Sequence, residues 1–170
     1  GKPKLKNQRN IIMKYFREKT NIVQMDDDIK DICKMGNYNK YNRLQNKFVP
    51  FKDLDTFIKK AFALCKEKKS FLWGVYPLCN AYFMFPQKTF DLRFIVGPFF
   101  GIINRKRKDL EITIDEKEDT ERTLQHFVLD KTVIRFNNVS ISTNYYKNKG
   151  GMQAWKVNRV KEAMKTAKYL

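Results

Sequence analysis

The stretch NIVQMDDDIK at 21–30 places the first constraint on the fold. The apolar residues at 22–25 are too few for a helix and read as a short strand. Three adjacent carboxylates then repel one another, and Asp is a poor interior residue for strand and helix alike. The chain must therefore turn at 26–28, with the acids at the C-terminal end of a strand. In α/β folds, that end is where ligands bind. Asp26 and Asp28 form an Asp-x-Asp pair that can aim two carboxylates at one divalent cation, with Asp27 between them. Mg²⁺ or Mn²⁺ prefers such oxygen ligands and usually shares them with substrate phosphates. The competing explanation is a helix cap, with Asp28 capping a helix over 29–35.

The rest of the chain alternates helices and strands. Residues 7–19 read as a helix with Ile11, Ile12, Tyr15 and Phe16 on its apolar face. Residues 36–50 are rich in Asn and Lys and read as a loop. Asp53 or Asp55 caps a helix running to about Lys68, with Leu54, Phe57, Ile58, Phe62 and Leu64 inside. Residues 71–76, 81–85, 90–96, 99–103 and 110–114 are strand-like. A helix opens at 117–122 and carries Leu124 and Phe127, and strand character returns at 133–136 and 139–141. A polar loop at 144–151 ends in Gly150 and Gly151, and 152–170 reads as a basic helix. With 170 residues, 42% hydrophobic and 14% aromatic, the chain can bury a core, and the expectation is one mixed α/β unit over 1–170.

Three further groups of residues can carry chemistry. Glu118 and Asp119 open a helix, where a carboxylate can serve as a general base; Asp119 as an N-cap is the plainer explanation. Lys149, Gly150 and Gly151, followed by Arg159, can close over a diphosphate or be an ordinary surface turn. His126, the single histidine, is either a third metal ligand or a packed helix residue.

The uncharged run at 70–87 is interrupted by Gly74, Pro77, Asn80 and Pro86, so it reads as buried strands and not as a membrane span. Cys33, Cys65 and Cys79 have no CxxC spacing and read as reduced thiols of an intracellular protein. The net charge of +17 favours phosphate partners. Only 9 of the 35 basic residues are Arg, and a high content of Lys, Asn, Ile, Phe and Tyr is also what an AT-rich coding sequence produces.

The order of these features resembles that of glycosyltransferases of the GT-A type. Closer still is the TET/JBP-associated branch, which occurs in phages, large viruses and kinetoplastids. The similarity rests on NQRN at 7–10 before IVQMDDDI at 22–29 and on FLWGVYP at 71–77 with Asn80. It extends to GPFFG at 97–101, KEDTER at 117–122, VIRFN at 133–137 and the Gly150-Gly151 loop. The resemblance implies a Rossmann-like mixed sheet flanked by helices, without the first nucleotide-binding βα unit, so that 1–170 would be the larger C-terminal part of a catalytic domain.

It also implies transfer of a sugar from a UDP-sugar to an acceptor hydroxyl, with a hydroxymethylated DNA base among the candidate acceptors. Asp26 and Asp28 would hold Mn²⁺ or Mg²⁺. Arg9, Asp27, Lys149, Gly150, Gly151 and Arg159 would bind the donor. Asp119, with Glu118, would be catalytic. Trp73, Tyr76, Asn80 and Gly97 would line the acceptor side. DNA joins the UDP-sugar as a candidate partner, no membrane contact is expected, and the expected location is the cytoplasm or nucleus of a virus-infected cell, or the virion. Two rivals stand beside this reading. One is a non-catalytic basic nucleic-acid or virion-associated binding domain. The other is a two-metal phosphoryl-transfer enzyme, disfavoured by the lack of a P-loop.

Overall fold

The computed structural model describes residues 4–143, 164 and 166–168. Helix α1 spans Leu5–Tyr15, followed by strand β1 at Asn21–Met25 and β2 at Ile29–Asn37. Strand β3 is Lys47–Val49 and helix α2 is Leu54–Lys68. Then come β4 at Leu72–Tyr76, β5 at Lys88–Thr89 and β6 at Phe99–Ile103. Helix α3 is Glu118–Asp130 and β7 is Ile134–Thr143.

The strands form one seven-stranded sheet in the order β1-β6-β4-β7-β2-β3, with β5 also beside β7. Among the described residues, β4 and β7 are the one parallel pair; the other pairings are antiparallel. Because β6 is antiparallel to both β1 and β4, strands β1, β4 and β7 all point the same way. The chain is thus α/β, with a mixed open sheet and flanking helices. The C-terminal ends of β1 and β4 share an edge with the start of β6, and that edge carries the Asp triplet, Tyr76 and Gly97. Strand β7 is long enough to serve two neighbourhoods. Its first residues pair with β4 and β5, and its second half pairs with β2, where Thr143 faces Ile29 directly after the triplet.

Trp73 on β4 is the centre of the core. Its fully buried ring makes edge-on contacts with Phe57, Phe62, Phe99 and Phe136. Gly101 on β6 pairs with Trp73, and a Cβ there would run into the indole. Asp53 caps α2, accepting a hydrogen bond from the Thr56 amide at 2.9 Å.

Several expectations are corrected. Residues 29–35 are strand, and the loop expected at 36–50 contains β3. The segments 81–85, 90–96 and 110–114 are not strands, because side chains take up their backbone groups. Asn80 accepts from the Tyr82 amide, Thr123 from the Ile95 amide, and the Thr132 hydroxyl donates to the Phe90 carbonyl. Asn10 both donates to and accepts from the backbone of Ile112, while Glu121 accepts from the Thr113 and Ile114 amides. On α1, the expected apolar face is largely turned to solvent: Tyr15 is 81% exposed and Ile11 64%, while Arg9 is the buried residue. Cys33 and Cys79 are joined in a disulfide that ties β2 to the segment after β4, with Cα atoms 5.9 Å apart. That overturns the expectation of three reduced thiols and removes the support they gave to an intracellular location. Cys65 remains free, its thiol pushed up to about 12 by burial. No helix among the described residues is long and apolar enough to cross a membrane.

Candidate functional site

The three aspartates sit in the turn between β1 and β2. Because β2 follows them directly, they cap no helix. The Asp26 amide donates to the Pro98 carbonyl at 2.9 Å, which fastens the triplet to the start of β6. One Asp26 oxygen accepts from Arg9 at 2.9 Å. Asp28 is half-buried, and its carboxyl is raised by burial first and then by Asp26 and Asp27. A cation at this turn would relieve that crowding, so the donor set fits Mg²⁺ or Mn²⁺ taken up on one or two carboxylates and completed by phosphate oxygens and water. No group of three or more acidic, His or Cys side chains suited to a metal occurs among the described residues.

Arg9 enters from α1 and ties distant segments together. It donates to Gln24 at 2.8 Å, to Asp26, and to the Gly97 carbonyl at 3.3 Å. Its Nε lies 3.5 Å from Glu118. Glu118 is 4% exposed and sits between two guanidiniums, accepting from Arg122 at 2.6 Å. Burial raises the Glu118 carboxyl, while Arg122 and then Arg9 pull it back. A carboxylate engaged in this way positions its arginines and is badly placed to take a proton from substrate, so Glu118 is a positioning residue here.

Asp119 is different. It is half-buried and is not the helix cap; that position is Lys117. Its Oδ2 accepts from the Gly97 amide at 3.2 Å and its Oδ1 from the Thr120 amide at 2.9 Å. Gly97 therefore bonds to Arg9 and Asp119 at once, and a Cβ on it would lie 3.2 Å from a Glu118 oxygen. This close approach explains the glycine.

Of the residues expected at the site, Arg9, Asp26, Gly97, Glu118 and Asp119 are brought into direct contact. Asp27 is exposed in the same turn beside Asp28. Trp73 is not at the site: it is sealed in the core by the aromatic cluster around it. Tyr76 reaches the same sheet edge, half-buried, with the Arg135 guanidinium 5.0 Å from its ring centre. Asn80 is an exposed turn residue bonded to its own loop. Lys149, Gly150, Gly151 and Arg159 lie outside the described residues. His126 is buried within α3, its Nδ1 2.9 Å from the Arg122 carbonyl, and is no ligand of the triplet.

Two participants had gone unnoticed in the sequence. Gln24 is a buried amide in an otherwise apolar strand, and Arg122 stands four residues after Glu118 on one helix face. Comparison with protein-family models, with curated proteins and with solved structures matches none of them to this chain.

Proposed function

We propose that the chain is a metal-dependent glycosyltransferase of the GT-A type, moving a sugar from a UDP-sugar to an acceptor hydroxyl, with a hydroxymethylated DNA base as one candidate acceptor. The observation that carries this reading is the convergence of the 7–10 helix, the Asp triplet, Gly97 and the Glu118-Asp119 pair at one sheet edge, although Arg9 and Asp119 stand 119 − 9 = 110 residues apart. Asp26 and Asp28 would hold Mg²⁺ or Mn²⁺, which when bound would supply charge neutralisation for the leaving diphosphate.

The chain's own residues do the remainder. Arg9 fixes Asp26, and Glu118 fixes Arg9. Asp119, steadied on one side by the Gly97 amide, accepts the proton of the acceptor hydroxyl. The bond from the anomeric carbon to the phosphate oxygen breaks with its electron pair leaving on UDP, and the acceptor oxygen forms the new bond to that carbon. Tyr76 offers a ring surface at the same edge for a base or sugar.

The test is calorimetry of UDP-glucose with the full-length protein, in Mn²⁺ and in EDTA, followed by transfer assays. Binding should require the metal and vanish in Asp28→Asn. Asp119→Asn should keep donor binding and lose roughly a hundred-fold or more in transfer rate, the usual scale for a general base. Donor binding that is indifferent to EDTA and to Asp28→Asn refutes the metal role. Loss of donor binding in Asp119→Asn makes that residue structural.

A further inference from the structure

Behind the Arg9–Glu118–Arg122 network lies a second pocket, of about 400 Å³, between α1, α3 and the 105–112 segment. It includes none of the Asp triplet and not Asp119. The volume suits a small organic molecule. Met13, Ile102, Leu110 and Ile112 give it apolar walls. Exposed Lys106 and Lys108 stand among its lining residues and make its open side cationic.

Two buried side chains in its lining keep nitrogens without partners among the described residues. Arg122 is 3% exposed and spends Nη1 on Glu118. Its plane is set by stacking on Phe100, with the guanidinium carbon 3.6 Å from the ring centre. Its Nε and Nη2 have no partner among the described residues. Those two N–H groups form the side-on fork that matches two oxygens of a phosphate or carboxylate. Leaving such a donor pair buried and unsatisfied is costly.

His126 lies one turn further along the same helix face, also 3% exposed. Its Nδ1 must carry the ring proton, because its partner is the Arg122 carbonyl, which only accepts. Its Nε2, also unpartnered, is then a bare acceptor. The free edge of Arg122 therefore asks for an acceptor, and the free nitrogen of His126 for a donor. A carboxylate at neutral pH offers no proton to donate. A phosphate monoester, whose second ionisation falls near pH ~6, offers acceptor oxygens and, in the fraction that stays singly protonated near neutral pH, a hydroxyl donor as well.

We infer that the pocket between α1, α3 and the 105–112 segment binds a small phosphate monoester with an apolar body, its phosphate on the free edge of Arg122 and on His126 Nε2. The site needs no metal and contains neither the Asp triplet nor Asp119, although Arg9 and Gln24 of the donor-side network form part of its wall.

Phenyl phosphate, phenol and benzoate are the probes, titrated calorimetrically into the full-length protein in EDTA. Phenyl phosphate should bind saturably, and phenol and benzoate should bind at least about tenfold more weakly, a difference of one decade in Kd. His126→Leu and Arg122→Lys should each weaken phenyl phosphate by about tenfold or more, the scale of a lost charge-assisted or buried hydrogen bond. Arg122→Lys also disturbs Glu118, so thermal unfolding checks its fold; His126→Leu carries the test if that variant does not fold. Asp28→Asn should leave phenyl phosphate binding intact.

The inference is overturned by no saturation below roughly 10 mM, a millimolar limit below which no specific site is at work. Equal binding of phenol or benzoate overturns it as well, as does affinity unchanged in His126→Leu. Binding that needs Mn²⁺ and is lost in Asp28→Asn would place the phosphate at the donor site instead.

Discussion

Burial of His126 makes its neutral form part of the folded state. Desolvation depresses its pKa from 6.5 to about 3, helped by the Arg105 and Arg122 charges and opposed by the bond to the Arg122 carbonyl. Between those values the unfolded chain holds a proton that the folded chain refuses. His126 therefore contributes stability that is present in full above pH 6.5 and lost as the pH falls toward 3. One proton corresponds to about 1.4 kcal/mol per pH unit inside that window. Urea unfolding at a series of pH values reads this slope, and His126→Leu should flatten it by about one proton's worth. Equal slopes in the two proteins would mean that the ring is protonated, or reaches water, in the fold. The same burial decides between the two readings the sequence leaves open for this histidine, in favour of a packed helix residue, because a sequence shows that the residue is unique but not which way its helix face turns.

At the scale of elements, periodicity revealed what apolar faces decide. The β1 strand, α2 with its Asp53 cap, β4 and α3 follow from residues that must be hidden. Where side chains such as Asn10, Glu121 and Thr123 satisfy the backbone, apolar runs became extended loops, and no local pattern announces that. Strand β2 was concealed for the opposite reason. Its apolar residues Ile29, Ile32, Cys33 and Met35 are broken up by Lys and Asp without strict alternation, and its pairing with β7 is made more than a hundred residues away in sequence. Trp73 looked like a ligand-stacking ring because an aromatic in a strand serves equally well as core or surface. Gly101 holds the answer: the glycine opposite is the space the indole occupies. Gly101→Ala must push a methyl group into that ring. The expected cost is about 1–3 kcal/mol, the range for overpacking a filled core. Thermal unfolding of the variant measures it, and a change within roughly 0.5 kcal/mol, the size of an ordinary surface substitution, would mean that β4 and β6 can slide apart to make room.

For the whole molecule, the net charge of +17 says little until the cations are located. The basic run Arg105-Lys-Arg-Lys108 is a candidate grip for phosphates, yet both arginines are engaged by carboxylates and Lys106 donates to the Lys14 carbonyl at 3.0 Å. Arg105 makes a two-pronged pair with Asp130 at 2.6 and 2.9 Å and stacks on Phe71, while Arg107 pairs with Asp109. Lys106 and Lys108 are exposed and point to the same surface as the cationic mouth of the second pocket. Nucleic-acid binding should therefore depend on the two lysines and not on Arg105. For duplex DNA, each phosphate neutralised contributes about 0.9 to the slope of log affinity against log salt. Replacing Lys106 and Lys108 together by Ala should lower that slope by roughly 2. Arg105→Ala should leave the slope nearly unchanged and instead lower thermal stability, since Asp130 would lose its buried partner. Fluorescence anisotropy of a labelled duplex across a salt series separates the two outcomes. A slope that falls with Arg105 and holds with the lysines would mean that the Asp130 pair opens to meet the phosphate backbone.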